Sequence, residues 1–522
     1  MEEIPLSAGN YLKAGDVNVQ LRANFGIATK TTRSLSVIAT MALLLGLFGF
    51  GRVSAADTDS FSAQALVPDG KILATIPVQF DGVGSKELAI VISNEQRGLR
   101  LLVHKESTAR NYEVTPAISI DLPTSVFAVQ AVDLDSDGRT ELALLGLETL
   151  HVVDWDEGGF GATAKEIARF ERLFAIPRPD FVVEYEFLFD LNNDRSFDAI
   201  LPCWDGIRVL KREKTGFTPV RLVKIEHGST ANLGKNLLSS GAHCGLAITL
   251  PTLAASDLNT DRTKDIMVAS GSGLAVCYQI GDMQFSEAPS QLLEVRPAFL
   301  DNLKFMSWGF GDLNNDKIVD YCRVFTQGGQ DEFKTVLEIY LAGGQIGFAQ
   351  RPSKRIVLDQ YCLGLVVADL DDDGVASAIL ATVSVSPTSL VKSLLVKRMQ
   401  VDLSVYQPQG GVLSEQPSSV KKVSCAIDYF SNGVPTRLVG CLHGDMDRDR
   451  MNDLVSLNDD DEIEVFKGAQ NPQFSDKPIL TRQAGRCTWL DAIDLNLDGK
   501  ADLILHSVDE TGRDVATLLW SK

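Results

Sequence analysis

The chain has 522 residues, more than a single hydrophobic core usually spans, so its length predicts several domains or an array of repeats. Hydrophobic residues make up 45% of the chain and charged residues 23%, so most of it is expected to fold. The formal net charge of −20 argues against nucleic acid or an anionic membrane surface as a direct partner.

The first 55 residues have the pattern of a leader for export. Arg33 precedes an apolar run over about residues 35–50, and small residues follow at 53–55. This pattern predicts a secretory signal with an extended region before it and cleavage after Ala55. The alternative is an uncleaved membrane anchor, since the apolar run is close to the lower limit for a membrane span, roughly 17 residues. We therefore expect a secreted, periplasmic or cell-envelope protein, with one folded region over residues 56–522.

Eight cysteines would enter an oxidising compartment after export. No two of them form a C-x-x-C pair, so a zinc knuckle or a thioredoxin-type site is not expected. Cys277, Cys322 and Cys362 lie in strand-like runs, where a cysteine commonly packs as a small apolar residue. One or two disulfides are an open alternative, and the sequence does not give their pairing.

An acidic motif recurs seven times along the rest of the chain. It begins as DLDSDGRTE, and successive copies start 49 to 76 residues apart, which is typical of an array of supersecondary units. An eighth copy over residues 79–87 keeps the frame but has Gln79 and Val83 where the other copies have Asp. We interpret it as a unit that kept its fold and lost its metal. The seven acidic loops are residues 133–141, 190–198, 257–265, 312–320, 369–377, 445–453 and 494–502.

Short aliphatic runs such as ELALLG, DIMVAS and DLILHS follow the loops, and others precede them, which favours β-strands. Each unit therefore consists of a strand, the acidic loop, two further strands and a looser fourth strand. Such units are expected to stack radially, which predicts an all-β fold, a β-propeller of eight four-stranded blades. Seven blades is the alternative, if residues 79–87 do not belong to a full blade. Residues 61–67 would supply the strand that the last unit lacks, and ANLGKNLLSSG from Ala231 is the best candidate for a short helix.

The spacing of oxygen-bearing residues in the loops predicts calcium binding. Calcium takes about 6–8 oxygen ligands, and a tight loop directs the side chains at positions 1, 3 and 5 towards one point. Position 7 adds a backbone carbonyl, that of Arg139 in the first loop, and a closing acid stands at position 9. Asp, Asn and Gly also favour turns, but turn formation alone does not explain acids at positions 1 and 5 of all seven loops, where carboxylates without a cation would repel one another.

We therefore predict up to seven Ca²⁺ sites. The proposed side-chain ligands are Asp133, Asp135, Asp137 and Glu141; Asp190, Asn192, Asp194 and Asp198; Asp257, Asn259, Asp261 and Asp265; Asp312, Asn314, Asp316 and Asp320; Asp369, Asp371 and Asp373; Asp445, Asp447, Asp449 and Asp453; and Asp494, Asn496, Asp498 and Asp502.

The loops differ at two positions. Ser377 replaces the closing acid of its loop, so this site is expected to bind calcium more weakly. Position 6 is Gly in three loops and a long cation in four, and we expect these cations to point outward; the alternative is that they fold over the carboxylates and partly replace the metal. They are Arg195, Arg262, Lys317 and Arg450. Without residues 1–55 the net charge is −22, and seven Ca²⁺ would bring it to −8, so the metal is expected to stabilise the folded state.

These loops, each followed by an apolar strand, resemble the FG-GAP/VCBS repeat family, which includes the propellers of integrin α-subunits and many exported bacterial proteins. The resemblance covers about residues 60–522. It implies a β-propeller with calcium in the loops between the first two strands of its blades, at the acids named above. It implies no particular ligand or partner, because function on this fold depends on variable surface loops.

Three functions compete. The first is a non-catalytic binding or scaffold module for a protein or glycan, since no separate catalytic domain is left once the repeats are assigned. The second is a polysaccharide-active enzyme of the lyase type, for which His443 would lie near the ring axis. The third is a subunit of an envelope complex, if the leader stays in the membrane. Four tryptophans could stack on sugars, although packing within blades is the favoured role: Trp155, Trp204, Trp308 and Trp489.

Overall fold

The computed structural model describes the chain from Phe61 to Lys522, and every regular element in the described part is a β-strand. Outside it lie residues 1–60, which include the leader predicted above, and short internal stretches. These stretches are residues 83, 109, 157–158, 161–162, 175–180, 215, 227–228, 236–241, 296–301, 329–332, 344–346, 385–397, 410–411, 427–439, 471–472 and 486.

The chain enters the fold as β1 (Phe61–Leu66) and then forms consecutive four-stranded sheets, each of which is one blade. Blade 1 contains β2 (Lys71–Val78), β3 (Glu87–Asn94), β4 (Gly98–His104) and β7 (Ile118–Asp121), with the short pair β5 (Glu106–Thr108) and β6 (Asn111–Tyr112). Blade 2 contains β8 (Val126–Val132), β9 (Glu141–Gly146), β10 (Thr149–Val153) and β13 (Lys165–Arg169), with the pair β11 (Trp155–Asp156) and β12 (Gly159–Phe160), and β14 (Val183–Glu184) added parallel to β8. Blade 3 contains β15 (Leu188–Phe189), β16 (Asp198–Cys203), β17 (Gly206–Glu213) and β18 (Gly216–Lys224), and the hairpin β19 (Ser229–Lys235) and β20 (Ala242–Ile248) follows it.

The second half of the chain repeats this plan. Blade 4 contains β21 (Thr252–Ser256), β22 (Asp265–Ser270), β23 (Gly273–Cys277) and β24 (Gln291–Glu294). Blade 5 contains β25 (Leu303–Gly311), β26 (Asp320–Gly328), β27 (Phe333–Tyr340) and β30 (Lys354–Leu358), with the pair β28 (Ala342–Gly343) and β29 (Gly347–Phe348). Blade 6 contains β31 (Tyr361–Ala368), β32 (Ser377–Val383), β33 (Arg398–Tyr406) and β36 (Ser419–Ala426), with the pair β34 (Pro408–Gln409) and β35 (Val412–Leu413). Blade 7 contains β37 (Gly440–Cys441), β38 (Leu454–Leu457), β39 (Glu462–Phe466) and β42 (Leu480–Gln483), with the pair β40 (Gly468–Ala469) and β41 (Gln473–Phe474). Blade 8 contains β43 (Cys487–Ile493), β44 (Asp502–Val508) and β45 (Asp514–Ser521), and takes β1 as its fourth strand.

The eight blades form a closed propeller, which confirms the all-β, eight-bladed prediction and the full-blade status of the degenerate first unit. The first strands of neighbouring blades contact one another around the ring. For example, β25 contacts β31, and β37 contacts β43. Closure depends on β1, which pairs antiparallel with β45 over six residue pairs, from Phe61 opposite Ser521 to Leu66 opposite Ala516. The first and last strands of the propeller therefore share one sheet, as residues 61–67 predict.

The hydrophobic core lies between the blades. One cluster spans blades 2 to 4, another spans blades 5 to 7, and smaller clusters fill the remaining junctions. The second strands are buried on both faces, as β9 and β16 show with every residue buried. Because both faces are buried, the sequences of the second strands are continuous apolar runs and do not alternate between apolar and polar residues.

The predicted short helix at Ala231 is wrong. Residues 231–235 belong to β19, which pairs with β20. Asn232 and Gly234 are poor helix formers, and hairpin pairing supplies the backbone hydrogen bonds that a helix would have made. Within the described ranges, no helix has the length and apolarity needed to cross a membrane.

Candidate metal centres

Each of the seven acidic loops joins the first strand of a blade to its second strand, in blades 2 to 8, and the degenerate loop does the same in blade 1. Position 9 is the first residue of the second strand in most blades, as with Glu141 in β9 and Asp502 in β44. All eight loops therefore lie on the same side of their blades, and the rim that they form is called here the acidic rim.

All eight loops have left-handed backbone at positions 4 and 6. In blade 1 both positions are glycine, Gly82 at φ 69° and Gly84 at φ 73°. The other loops place non-glycine residues at position 4 and, in four cases, at position 6. This regularity shows that the degenerate loop kept the backbone of the others, and its two glycines are the signal in the sequence. The non-glycine cases are Ser136, Asn193, Thr260, Asn315, Asp372, Arg448 and Leu497 at position 4, and Arg195, Arg262, Lys317 and Arg450 at position 6.

The acids at positions 1 and 5 shape the loop through backbone hydrogen bonds. In blade 2, Asp133 accepts from the N–H of Asp137 at 3.1 Å and of Gly138 at 3.0 Å, and Asp137 accepts from the N–H of Arg139 at 2.8 Å. Turn formation therefore accounts for part of the preference for Asp. Each carboxylate oxygen has more than one lone pair, so these bonds leave room for a cation. The same three bonds recur in the loops that begin at Asp190, Asp257, Asp312, Asp445 and Asp494.

Position 3 divides the loops into two kinds. Where it is Asn, its side-chain N–H donates to the acid at position 5, as Asn314 does to Asp316 at 2.9 Å. Where it is Asp, no donor is present, and a third carboxylate joins the other two. The Asn loops are those of blades 3, 4, 5 and 8, and the Asp loops are those of blades 2, 6 and 7.

The closing acid at position 9 ties three parts of the blade together. Asp320 is fully buried and accepts from the N–H of Leu313 at position 2 and of Ala342 after the third strand, both at 2.8 Å. Burial raises the pKa of Asp320 to about 7, although these backbone hydrogen bonds oppose the rise. A nearby divalent cation would favour the charged form. The equivalent acids Asp198, Asp265, Asp453 and Asp502 make both bonds as well, and burial raises their pKa to about 6.

Three loops bring three carboxylates close enough for one cation. In each group, one oxygen from every residue lies within 4.8 Å of the others. Oxygens bound to one Ca²⁺ at roughly 2.3–2.6 Å lie no more than about 5 Å apart, so the donor sets fit this ion. One side-chain oxygen of Asp447 is also buried without a hydrogen-bond partner among the described residues. The groups are Asp133, Asp135 and Glu141; Asp369, Asp371 and Asp373; and Asp445, Asp447 and Asp453.

Hydrogen bonds connect each loop with the loop of the next blade. The backbone N–H at position 8 donates to the preceding blade. Lys264 donates to the carbonyl of Leu191 at 2.9 Å, and Asn452 donates to the carbonyl of Leu370 at 2.8 Å. The acidic rim is therefore a continuous belt of loops, which pairwise spacing in the sequence does not reveal. Four other junctions are crossed by bonds between a backbone N–H and a carbonyl: Lys86 to Leu495, Thr140 to Gln79, Ala376 to Asp312, and Ala501 to Asp445. At the last two junctions, the N–H of Val319 donates to the hydroxyl of Ser256, and the hydroxyl of Ser136 donates to the carbonyl of Arg195.

The remaining candidates are mostly structural. His443 lies 2.5 Å from Asp491 through its Nε2 atom, and this contact links blade 7 to blade 8. Trp308 donates to the hydroxyl of Thr252 at 2.7 Å, and Trp489 packs edge-on against His506. Trp204 differs, because 63% of it is exposed. Seven of the eight cysteines are described, and all seven are buried.

The comparisons with known families agree with this geometry. Residues 445–505, which contain the loops of blades 7 and 8, match the model of the FG-GAP-like repeat. The protein is therefore an eight-bladed β-propeller in which one segment matches the FG-GAP-like repeat, and the predicted resemblance is confirmed. No curated protein gives a significant match to the sequence.

Solved structures are similar to this chain at low identity and low TM-score. A lectin from Agrocybe aegerita, described as recognising non-reducing terminal N-acetylglucosamine, is 14% identical with a TM-score of 0.41, over 70% of this chain and 90% of that one. The Dos1 propeller is 10% identical with a TM-score of 0.37, over 87% and 94% of the two chains. The WD40 domain of Toxoplasma gondii coronin is 9% identical with a TM-score of 0.38, over 89% and 87%. These values carry no argument about ligands.

Proposed function

We propose that the protein is an exported β-propeller that binds calcium in its acidic rim and serves as a non-catalytic binding or scaffold module. The observation that carries this proposal is the convergence of three carboxylates in the loops of blades 2 and 6, with oxygens within 4.8 Å of one another. Because neighbouring loops are hydrogen-bonded, calcium in the rim would hold the blades in a fixed arrangement. A rigid ring of this kind presents its surface loops to a partner.

Calcium content and melting temperature test the proposal together. The full-length protein, purified in calcium, is expected to carry several equivalents of Ca²⁺ by elemental analysis. Removal of the metal with a chelator should lower the melting temperature, because the loops would then contain unscreened carboxylates. Magnesium at the same concentration is the control, since a small octahedral ion fits such loops less well. A protein without bound calcium, whose melting temperature is unaffected by chelation, would contradict the proposal.

Trp204 is the best candidate for a partner contact. It lies in the turn between β16 and β17, on the side of the propeller opposite the acidic rim, and its backbone N–H donates to the carbonyl of Leu173 at 2.8 Å. An exposed indole is a common platform for sugar rings and protein contacts. Trp204→Ala is expected to weaken binding to glycans found on an array at least tenfold, while melting stays unchanged, since the side chain is outside the core. Unchanged binding would exclude this surface.

A polysaccharide-active enzyme is the second candidate, and the contact between His443 and Asp491 favours it. A histidine held by a carboxylate near the ring centre could act as a general base. Incubation with acidic polysaccharides, followed by ultraviolet absorbance of unsaturated products, tests this function. Activity that disappears in His443→Ala would replace the binding proposal, and no activity in the wild type would remove the second candidate.

The alternative that the leader remains as a membrane anchor is tested separately. We propose cleavage after Ala55, so the protein isolated from its host should begin at Ala56 by mass spectrometry. A mass that includes residues 35–50 would indicate an anchored envelope subunit instead.

A further inference from the structure

Three blades have a lysine directly across from the closing position of their acidic loop. The pairing of Leu454 with Phe466 in blade 7 places Lys467 opposite Asp453. The corresponding pairings place Lys105 opposite Glu87 in blade 1 and Lys211 opposite Asp198 in blade 3. The other five blades have no cation at this position: they have Asp154, Tyr278, Leu341, Gln407 and Trp520.

In blade 7 this lysine enters the proposed metal site. The Lys467 ammonium contacts the carboxylate of Asp447 at position 3 and lies 2.9 Å from that of Asp449 at position 5. A lysine side chain is positively charged at neutral pH. Two of the four side chains proposed to hold calcium are therefore already paired with a positive charge.

Blade 1 shows the same solution where the metal ligands are gone. Gln79 replaces the acid at position 1, yet the loop keeps the left-handed backbone at positions 4 and 6. Lys105 Nζ lies 3.3 Å from Asp81, the acid at position 3. An ammonium in this place is therefore compatible with the loop backbone that all eight blades share.

Blade 3 shows how the lysine can be kept out. Lys211 Nζ lies 2.8 Å from Asp282, outside the loop, and Asp282 also accepts from Asn192 at 3.5 Å. The acids Asp190 and Asp194 are thereby left to a metal. Blade 3 thus provides a matched control for blade 7.

Other cations near the rim contact one acid each. Arg139 lies 3.7 Å from Asp137, while Arg448 and Arg110 approach Asp498 at 3.2 and 3.4 Å. The position-6 cations are exposed, and within the described part of the chain they form no ion pair. Contact with two ligand positions of one loop distinguishes Lys467 from these residues.

We propose that the Lys467 ammonium takes the place of Ca²⁺ in the loop of blade 7, where it offsets part of the acidic charge without metal. The inference rests on the proposed function, since it assumes that other loops bind calcium. A divalent ion would have to displace an ammonium that already contacts the carboxylates at positions 3 and 5, and this competition lowers the affinity of blade 7 for calcium. A single side chain thereby determines that the loop of blade 7 differs from the other acidic loops in calcium binding.

Counting bound calcium tests the inference. Full-length wild-type protein, Lys467→Met and Lys211→Met are stripped of metal and titrated with CaCl₂ by calorimetry, and bound ions are counted by elemental analysis. Lys467→Met is expected to bind one Ca²⁺ more than the wild type, whereas Lys211→Met binds the same number. An equal number in Lys467→Met and the wild type would overturn the inference.

A second comparison does not depend on the lysine variant being folded. Asp316→Asn and Asp449→Asn change the same loop position in blades 5 and 7, and each is measured at a calcium concentration that just saturates the wild type. Asp316→Asn should lose one equivalent, while Asp449→Asn should lose none, because blade 7 holds no calcium to lose. Loss of one equivalent in Asp449→Asn would overturn the inference while leaving calcium binding intact. A wild type that binds no calcium would overturn the proposed function, and this inference with it.

Discussion

Arg262 shows how strictly the loop backbone is specified. It has φ 76° at position 6, where three other loops have glycine, and its side chain is exposed. A side chain with a Cβ atom in this conformation costs roughly 1–2 kcal/mol, so the backbone must be held by the rest of the loop. Its carbonyl accepts from the side-chain N–H of Asn193 at 2.7 Å, which supplies part of that restraint.

Arg262→Gly is expected to stabilise the protein by about 0.5–1 kcal/mol, because the relief of the left-handed conformation exceeds the extra freedom of glycine in the unfolded chain. The midpoint of urea unfolding measures this gain. Gly138→Ala is the reciprocal control at the same position, with φ 88° and no atom within 4 Å of the added Cβ. It should lose about 1 kcal/mol, purely through backbone strain. A loss of stability in Arg262→Gly would show that the arginine side chain has a structural role.

At the scale of one blade, a buried ionic network holds β26 and β27 together. Arg323 and Glu338 are 2% and 1% exposed, and Arg323 Nε donates to Glu338 at 3.0 Å. Arg323 also donates to the hydroxyl of Tyr340 at 2.6 Å and to the carbonyl of Leu293 in blade 4 at 3.2 Å. The network therefore joins two neighbouring blades.

Glu338→Gln is expected to destabilise the protein by about 3–5 kcal/mol, since it leaves the guanidinium of Arg323 buried without its counter-charge. Thermal or urea unfolding measures the loss. The double variant Arg323→Met with Glu338→Met should recover much of it, because replacing both partners removes the uncompensated charge. If the double variant is as unstable as Glu338→Gln, packing rather than charge governs this position.

Ring closure is a second property of single elements. Deletion of residues 1–66 removes β1 and exposes the edge of β45, whereas deletion of residues 1–60 leaves β1 in place. The first deletion should lower the melting temperature and cause aggregation, because an open strand edge pairs with other chains. Melting and size-exclusion chromatography measure both effects. Equal behaviour of the two deletions would show that the other blades close the ring without β1.

The strands could be predicted because their pattern is local. Most second strands are apolar runs that begin at or just after an acid at position 9, and the strand at residues 61–67 follows from the missing partner in blade 8. The contacts across loops could not be predicted, since they depend on folding. Lys467 reaches Asp447 across 20 positions of sequence, and Arg323 reaches Glu338 across 15. The helix expected at Ala231 failed for a similar reason, because pairing with β20 outweighed local propensity.

At the scale of the whole molecule, the belt of loops couples the closing acids of neighbouring blades. These acids are buried under the rim, and five of them accept a backbone hydrogen bond from a residue at the end of the third strand or within two residues after it: Asp198, Asp265, Asp320, Asp453 and Asp502. Burial raises the pKa of Glu141 and Asp320 to about 7 and that of Asp198 and Asp502 to about 6. The charged state of the rim therefore changes just below neutral pH, where most surface carboxylates are already ionised.

The sign of the pH dependence follows from these directions. An acid with a raised pKa keeps its proton in the metal-free folded state, and the resulting stability is lost as the pH rises through about 6 to 7. The metal-free protein should therefore melt at a higher temperature near pH 5.5 than near pH 8.

Calcium binds the deprotonated form, so the increase in melting temperature that it causes should be larger near pH 8. Glu141→Gln, which cannot ionise, should reduce this difference. A calcium-induced shift that is equal at both pH values would show that the closing acids do not take part in binding, and that only the less buried acids at positions 1, 3 and 5 do.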